Sequence, residues 1–180
     1  REYQIIKGIY EDIAVLTVIT GMGAPSVAIA MEELIKLGAK IFIRIGSCGG
    51  AWTKSIKPGS LIIPTACVRE DGASLEYLPA AFPATADFQV ISALVQSAKL
   101  QKARYFLGIN RSHDAFYGNI SSKLKWRQAF QNLKLKDSPI ISSDMETSII
   151  YVLAALRGVR AGAILSVNAK NEPLLTGAVK

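Results

Sequence analysis

The chain has 180 residues, half of them hydrophobic, which is the length of one ordinary domain with enough apolar mass for a sizeable core. Its 21 Lys and Arg against 14 Asp and Glu leave a formal charge of +7, which suits an anionic ligand; the basic residues are scattered apart from a modest cluster over 121–136, so no nucleic-acid partner is expected. A single histidine argues against a multi-His metal site. The two cysteines, Cys48 and Cys67, are too few and too far apart for a disulfide framework, and no apolar run reaches the roughly eighteen residues of a membrane span.

The first residues, REYQIIKGIYED, resemble neither a signal peptide nor a transit peptide, so a cytoplasmic protein without a membrane partner is expected. Residues 3–9 and 12–19 are β-branched and apolar around a turn-like YED, which predicts a hairpin feeding an inner strand. The glycine-rich TGMGAPS follows, and then a helical repeat that starts at Pro25 and Ser26 and stops at Gly38. KIFIRIG reads as a strand, so this order of strand, glycine turn, helix and strand predicts a βαβ unit and a sheet covered by helices.

SLIIPTACVRE gives one or two strands, and LEYLPAAFPATAD reads as a proline-bearing loop without periodicity. Asp87 caps the helical FQVISALVQSAKL. ARYFLGIN is a strand with RSHDAFYGNISSKLK as a polar excursion at its end, ETSIIYVLAALRG a helix stopping at Gly158, and RAGAILSVN a final strand. The expectation is one α/β domain whose functional loops gather beyond the carboxyl ends of the strands.

Arg44 stands inside an otherwise apolar strand, and a desolvated guanidinium needs an anion, so it either closes an internal salt bridge or waits for an anionic ligand. Ser47 and the glycine amides after it make a donor-rich surround suited to phosphate. Cys48 reads as a packing residue. TGMGAPS could bind an anion on its amides but lacks both the dinucleotide and the Walker patterns, and a tight turn explains it as well. His113 could act as an acid or base, or be a hydrogen-bonded loop histidine. Phe116 and Tyr117 could stack on a planar ligand or anchor their loop. In SSDMETS, Ser143 and Glu146 match an S-x-x-E capping box with Asp144 near the helix start, which does not prevent one carboxylate from also binding ligand hydroxyls.

Three segments together resemble the nucleoside phosphorylase superfamily, nearest to its uridine phosphorylase branch: TGMGAPSVAIAMEELIKLGAKIFIRIGSCGG, then DGASLEYLPAAFPATADFQVISALVQSAK with LGINRSHDAFYG, and SDMETSIIYVLAALRGVRAGAILSVN. The resemblance implies a three-layer α/β/α sandwich around a mixed, partly parallel sheet. It also implies reversible phosphorolysis of a nucleoside to a free base and ribose 1-phosphate. By the same resemblance Arg44 and Ser47 hold phosphate, with Arg1 supplied across a dimer interface. Glu146 takes the ribose hydroxyls, Met145 and Ser47 lie against the sugar, and Phe116, Asn119 and Asp144 meet the base. Neither redox cofactor nor catalytic metal is implied. Inorganic phosphate is the co-substrate, and a potassium ion at the interface would involve Glu2 and Ser26.

Family members carry an earlier strand with a phosphate-binding arginine and a terminal helix, so residues 1–180 are expected to be a single phosphorylase-like domain incomplete at both ends. Asn119 stands where uridine phosphorylases place Gln, and Ala169-Lys170 follow SVN where an arginine is common. The family works as dimers associating into hexamers, with nucleoside and phosphate as partners. A nucleosidase of the same superfamily, or a noncatalytic nucleoside-binding relative, are the alternatives.

Overall fold

The computed structural model describes residues 3–49, 53, 55–117, 128 and 139–168. Two apolar runs form a hairpin, β1 (Gln4–Tyr10) and β2 (Ile13–Ile19), paired antiparallel from Gln4↔Ile19 to Tyr10↔Ile13. The connection is two residues long, and Glu11 and Asp12 both take positive φ, 46° and 62°. That is the twist a two-residue hairpin demands, here met without glycine.

The other strands among the described residues form one six-stranded sheet: β3 (Ile41–Cys48), β4 (Leu61–Glu70), β5 (Ala84–Thr85), β6 (Tyr105–His113), β7 (Ile140–Asp144) and β8 (Arg160–Val167). The order is β3-β8-β4-β6-β7, with β5 on β4. Pairs β3–β8, β4–β6 and β6–β7 are parallel, whereas β4–β8 and β4–β5 are antiparallel. The sheet is mixed, as expected. The predicted βαβ unit at the start is not formed within it, because among the described residues β2 pairs only with β1. A tight turn satisfies that pairing locally, and periodicity carries no record of which distant strand is a neighbour.

The first helix, α1 (Ala24–Lys36), has Pro25 in its first turn, where the missing N–H costs nothing. It ends at Leu37, and Gly38 at φ 98° donates back to the Ile35 carbonyl at 2.9 Å. Buried Ala24, Val27, Ala28 and Met31 recur at helical spacing and face a later helix, α4 (Thr147–Arg157). Packed against both is α2 (Gly72–Tyr77), capped by Asp71, where only a loop was expected; six residues are too few to show a period. Asp87 caps α3 (Phe88–Leu100) by accepting the Val90 N–H at 3.0 Å, as predicted. Val90 and Leu94 of α3 close on Gly162, whereas Ala161, Ala163 and Leu165 of β8 join the core on the α4 side. Helices therefore cover both faces, giving three layers.

Every residue of α4 from Thr147 to Ala154 is buried. Tyr151 donates its hydroxyl to the Pro64 carbonyl at 2.8 Å, at the point where β4 slips register between Pro64 and Ala66. A proline inside a strand sits at such an irregularity because it has no N–H for the ladder. The sheet also folds toward itself at one end: Gly49, just past β3, exchanges backbone hydrogen bonds with Ser143 of β7 at 2.8 and 3.3 Å. The carboxyl ends of β3, β6 and β7 thus converge. No helix among the described residues is long and apolar enough to cross a membrane.

Candidate active site

Beyond those converging strand ends lies a cavity of about 330 Å³. Arg44 projects into it from β3, with its side chain 14% exposed. Its guanidinium lies over Gly46 on the same face of the strand; a Cβ there would stand 2.9 Å from Arg44 Cζ, so only glycine leaves room. Arg44 donates through Nε to Asp144 Oδ2 at 3.0 Å and through Nη2 to Glu146 Oε2 at 2.6 Å. Of the two readings open in the sequence, the structure shows the ion pair, formed with both carboxylates at once.

Asp144 ends β7 and is almost wholly enclosed by donors. Its Oδ1 accepts from Asn110 Nδ2 and from the Ser112 hydroxyl, both at 2.7 Å. Its Oδ2 accepts from Arg44, from the Thr147 N–H at 3.1 Å and from the Thr147 hydroxyl. Asp144 therefore caps the first turn of α4, and the predicted Ser143–Glu146 capping box is absent. The reason is the strand: Ser143 is held extended by its bridge to Gly49, so the side chain three residues ahead of Thr147 N–H is that of Asp144.

Glu146 occupies the N-cap position yet makes no capping bond. Its Oε1 accepts the Gly23 N–H at 2.6 Å, and its Oε2 takes Arg44 and, at 3.3 Å, the Met145 N–H. The TGMG turn thus presents an amide to an anion, but the anion is the protein's own carboxylate. One guanidinium and two carboxylates face one another, all at least largely removed from water, and such a cluster holds only while each charge keeps its partners.

Ser47 and Gly49 line the cavity beside Arg44, and Met145 and Phe116 supply apolar surface. Phe116 is 56% exposed and meets Tyr117 edge-on, ring centres 4.9 Å apart. Cys48 is buried in the wall; burial first, and the Asp144 charge second, push its thiol up to about 12, so it is no nucleophile near neutral pH.

Arg44, Ser47, Phe116, Asp144, Met145 and Glu146 thus come together around one cavity. Ser26 does not line it: its hydroxyl donates to the Thr20 carbonyl, and its own carbonyl accepts from the Tyr3 hydroxyl at 2.9 Å, which ties the hairpin to α1. Arg1, Glu2, Asn119, Ala169 and Lys170 lie outside the described residues. Reading the residues in isolation missed Gly23, Asn110, Ser112 and Thr147, which hold the two carboxylates. The available signal was an alternation of polar residues, Asn110 and Ser112 on one strand against Ser142 and Asp144 on the next. His113, expected in a polar excursion, instead ends β6 and faces the cavity. The strand continues because its polar side chains find partners, such as Arg111 with Glu70 at 2.5 Å.

The chain matches the family model of the phosphorylase superfamily over residues 1–177. It is 38% identical over 172 residues to a uridine phosphorylase of Thermococcus kodakarensis, an alignment that covers 93% of this chain and 62% of that protein. It is 39% identical over 170 residues to a uridine phosphorylase of Treponema pallidum, covering 93% of this chain and 66% of that one. A solved uridine phosphorylase of Vibrio fischeri superposes with a TM-score of 0.81 at 36% identity, over 93% of this chain and 66% of the other. The chain therefore spans somewhat under two thirds of the length of these relatives.

Proposed function

Since the chain belongs to the phosphorylase superfamily, we propose that it serves the reversible phosphorolysis of a ribonucleoside, with uridine as the preferred substrate, as a pentosyltransferase of nucleoside salvage. In that reaction an oxygen of hydrogen phosphate bonds to C1′ and the bond from C1′ to the base nitrogen breaks. The electron pair stays on the base, and the proton carried by the phosphate ends there. The transition state is a sugar cation between two anions, so orientation and charge placement supply the rate.

The observation that carries this reading is the Arg44–Glu146 pair at 2.6 Å in a cavity also lined by Met145 and Phe116. Arg44 and Ser47 bind phosphate, with Arg1 of a neighbouring subunit. Glu146 accepts the 2′ and 3′ hydroxyls, Met145 packs on the ribose, and Phe116 flanks the base with Asn119. Asp144, whose oxygens are taken by protein donors, positions Arg44 rather than reading the base. No catalytic metal or redox cofactor enters the scheme. The same proposal includes a homodimer assembling into a hexamer, a cytoplasmic site of action, and a potassium ion at the interface involving Glu2 and Ser26.

The test is release of free base from uridine, thymidine and inosine with and without inorganic phosphate. Phosphate-dependent release of uracil is the expected result. Release without phosphate would move the assignment to a nucleosidase.

A further inference from the structure

We propose that Asp114 is a positioning residue for nucleoside binding: its carboxylate grips the first amide of α2 and so holds Phe116, two residues on, ready to stack on the planar base. The inference rests on the phosphorolysis reading of this cavity and deepens it, by naming what fixes the ring that flanks the base.

Asp114 Oδ2 accepts the Gly72 N–H at 2.8 Å, which joins the segment leaving β6 to the start of α2. Both ends of that contact are anchored independently, and by one residue of α4. The Ser148 N–H donates to the Ser112 hydroxyl oxygen at 3.0 Å, and the Ser148 hydroxyl donates to Asp71. Ser112 in turn donates to Asp144 at 2.7 Å, and Asp71, wholly buried, accepts the Ser74 N–H at 2.7 Å. Past the other end of α2, Arg69 of β4 donates to the Leu78 and Pro79 carbonyls, each at 2.7 Å, and to the Phe82 carbonyl at 2.6 Å. The spacing between the end of β6 and the start of α2 is thus set by α4, and the Asp114 carboxylate closes a ring through Ser112, Ser148, Asp71 and Gly72.

Phe116 lines the cavity yet is 56% exposed, so packing alone does little to fix its ring. A ring on a free loop loses backbone and rotamer freedom when a flat ligand stacks on it, whereas a loop pinned two residues earlier has less to lose. That saving falls on the ligand that uses Phe116. Phosphate, placed at Arg44 and Ser47 of β3, gains nothing from it. Asp114 is itself exposed, so the bond orders the loop without carrying much of the global stability. Gly72 gives access to the same bond from its donor side. It is the first residue of α2, where proline is favoured, and Asp71 before it already has the extended backbone, φ −98° and ψ 140°, that a following proline requires. Gly72→Pro therefore deletes the N–H without changing charge and keeps the helix start.

The experiment compares the full chain with Asp114→Ala, Asp114→Asn and Gly72→Pro. KM and kcat for uridine and KM for phosphate are measured, and uridine is titrated onto each protein by calorimetry without phosphate. The expectation is a rise of about 5-fold in the uridine KM and Kd for Asp114→Ala and Gly72→Pro alike, with kcat, the phosphate KM and the melting temperature unchanged. Asp114→Asn, which keeps an oxygen acceptor, should recover most of the affinity. In a Phe116→Ala background Asp114→Ala should add no further loss, because the ring it positions is gone. Unchanged uridine binding in Asp114→Ala overturns the proposal, and so does an equal rise in the phosphate KM or a full further loss when Phe116 is already absent. If Gly72→Pro fails to fold, the Asp114 variants and the Phe116 background decide alone. If uridine binding follows the expected order of variants but the parent shows no phosphate-dependent turnover, the positioning role stands and the phosphorolysis reading falls; if the parent neither binds nor turns over uridine, both fall.

Discussion

Arg44 Nη2 and Glu146 Oε2 meet at 2.6 Å, so the group proposed for phosphate and the group proposed for ribose are each other's partner. On the proposed reading, phosphate draws the guanidinium away from Oε2 and ribose hydroxyls take its place there. Each substrate thus removes a contact that opposes the other. Binding of phosphate is expected to tighten roughly 5-fold in saturating nucleoside, with the reciprocal effect on nucleoside affinity. Calorimetric titration in both orders checks it, and independent affinities would show that the pair persists in the occupied site.

Glu146→Ala should lower kcat/KM for the nucleoside by about 100-fold or more, because the proposed acceptor for the two ribose hydroxyls is lost. The fold should survive, since Arg44 keeps Asp144 at 3.0 Å. Steady-state kinetics beside a circular dichroism spectrum separates the two effects; unaltered turnover in a folded variant would return Glu146 to a purely structural role.

Asp144→Ala should be the costliest change for stability. It would leave Arg44, Asn110, Ser112 and the first N–H of α4 without their acceptor inside a wall closed to water. A loss of about 3–5 kcal/mol is expected in urea unfolding. Asp144→Asn, which retains one carbonyl acceptor, should lose less. A variant as stable as the parent would mean that water replaces the carboxylate.

Gly46→Ala tests the seat of Arg44. A methyl group 2.9 Å from Cζ forces the guanidinium to shift, and a displacement of that size should raise the KM for phosphate about 10-fold. The rest of β3 has no reason to move, so the melting temperature should change little. Wild-type phosphate kinetics would place the anion elsewhere.

The Cys48 thiol has its folded value raised from 9.0 to about 12. Between these values the unfolded chain sheds a proton that the folded one keeps, so stability is full below pH 9.0 and declines as pH rises toward about 12. Urea midpoints from pH 8 to 11 should fall less steeply for Cys48→Ala than for the parent. Parallel slopes would assign the alkaline loss to other groups.

Much of this protein is written locally. The hairpin, the starts and stops of α1 and α3, and the strands β3, β4 and β8 follow from β-branched runs, Pro25, Gly38 and Asp87, because each depends on neighbours a few residues away. Arg44 was conspicuous for the same reason, a charge in an apolar strand. Where local rules failed, a distant partner had prevailed. β6 runs on through Arg111 and His113 because Glu70 and the cavity wall accept them, and the capping box gave way to Asp144 because Gly49 holds Ser143 in a strand.

The sequence alone determined most of the element types, the α/β class and the presence of an anion-seeking arginine in one strand and of two carboxylates at a helix start. Only the tertiary structure decided that Arg44 rests between Asp144 and Glu146, that Gly23 aims Glu146, and that His113 enters the same cavity. The physical reason is separation: Arg44 and Asp144 lie 100 positions apart in the chain, and Gly23 and Glu146 lie 123 apart. Contacts that far apart are set by sheet order and by the convergence of strand ends, which no local spacing of residues encodes.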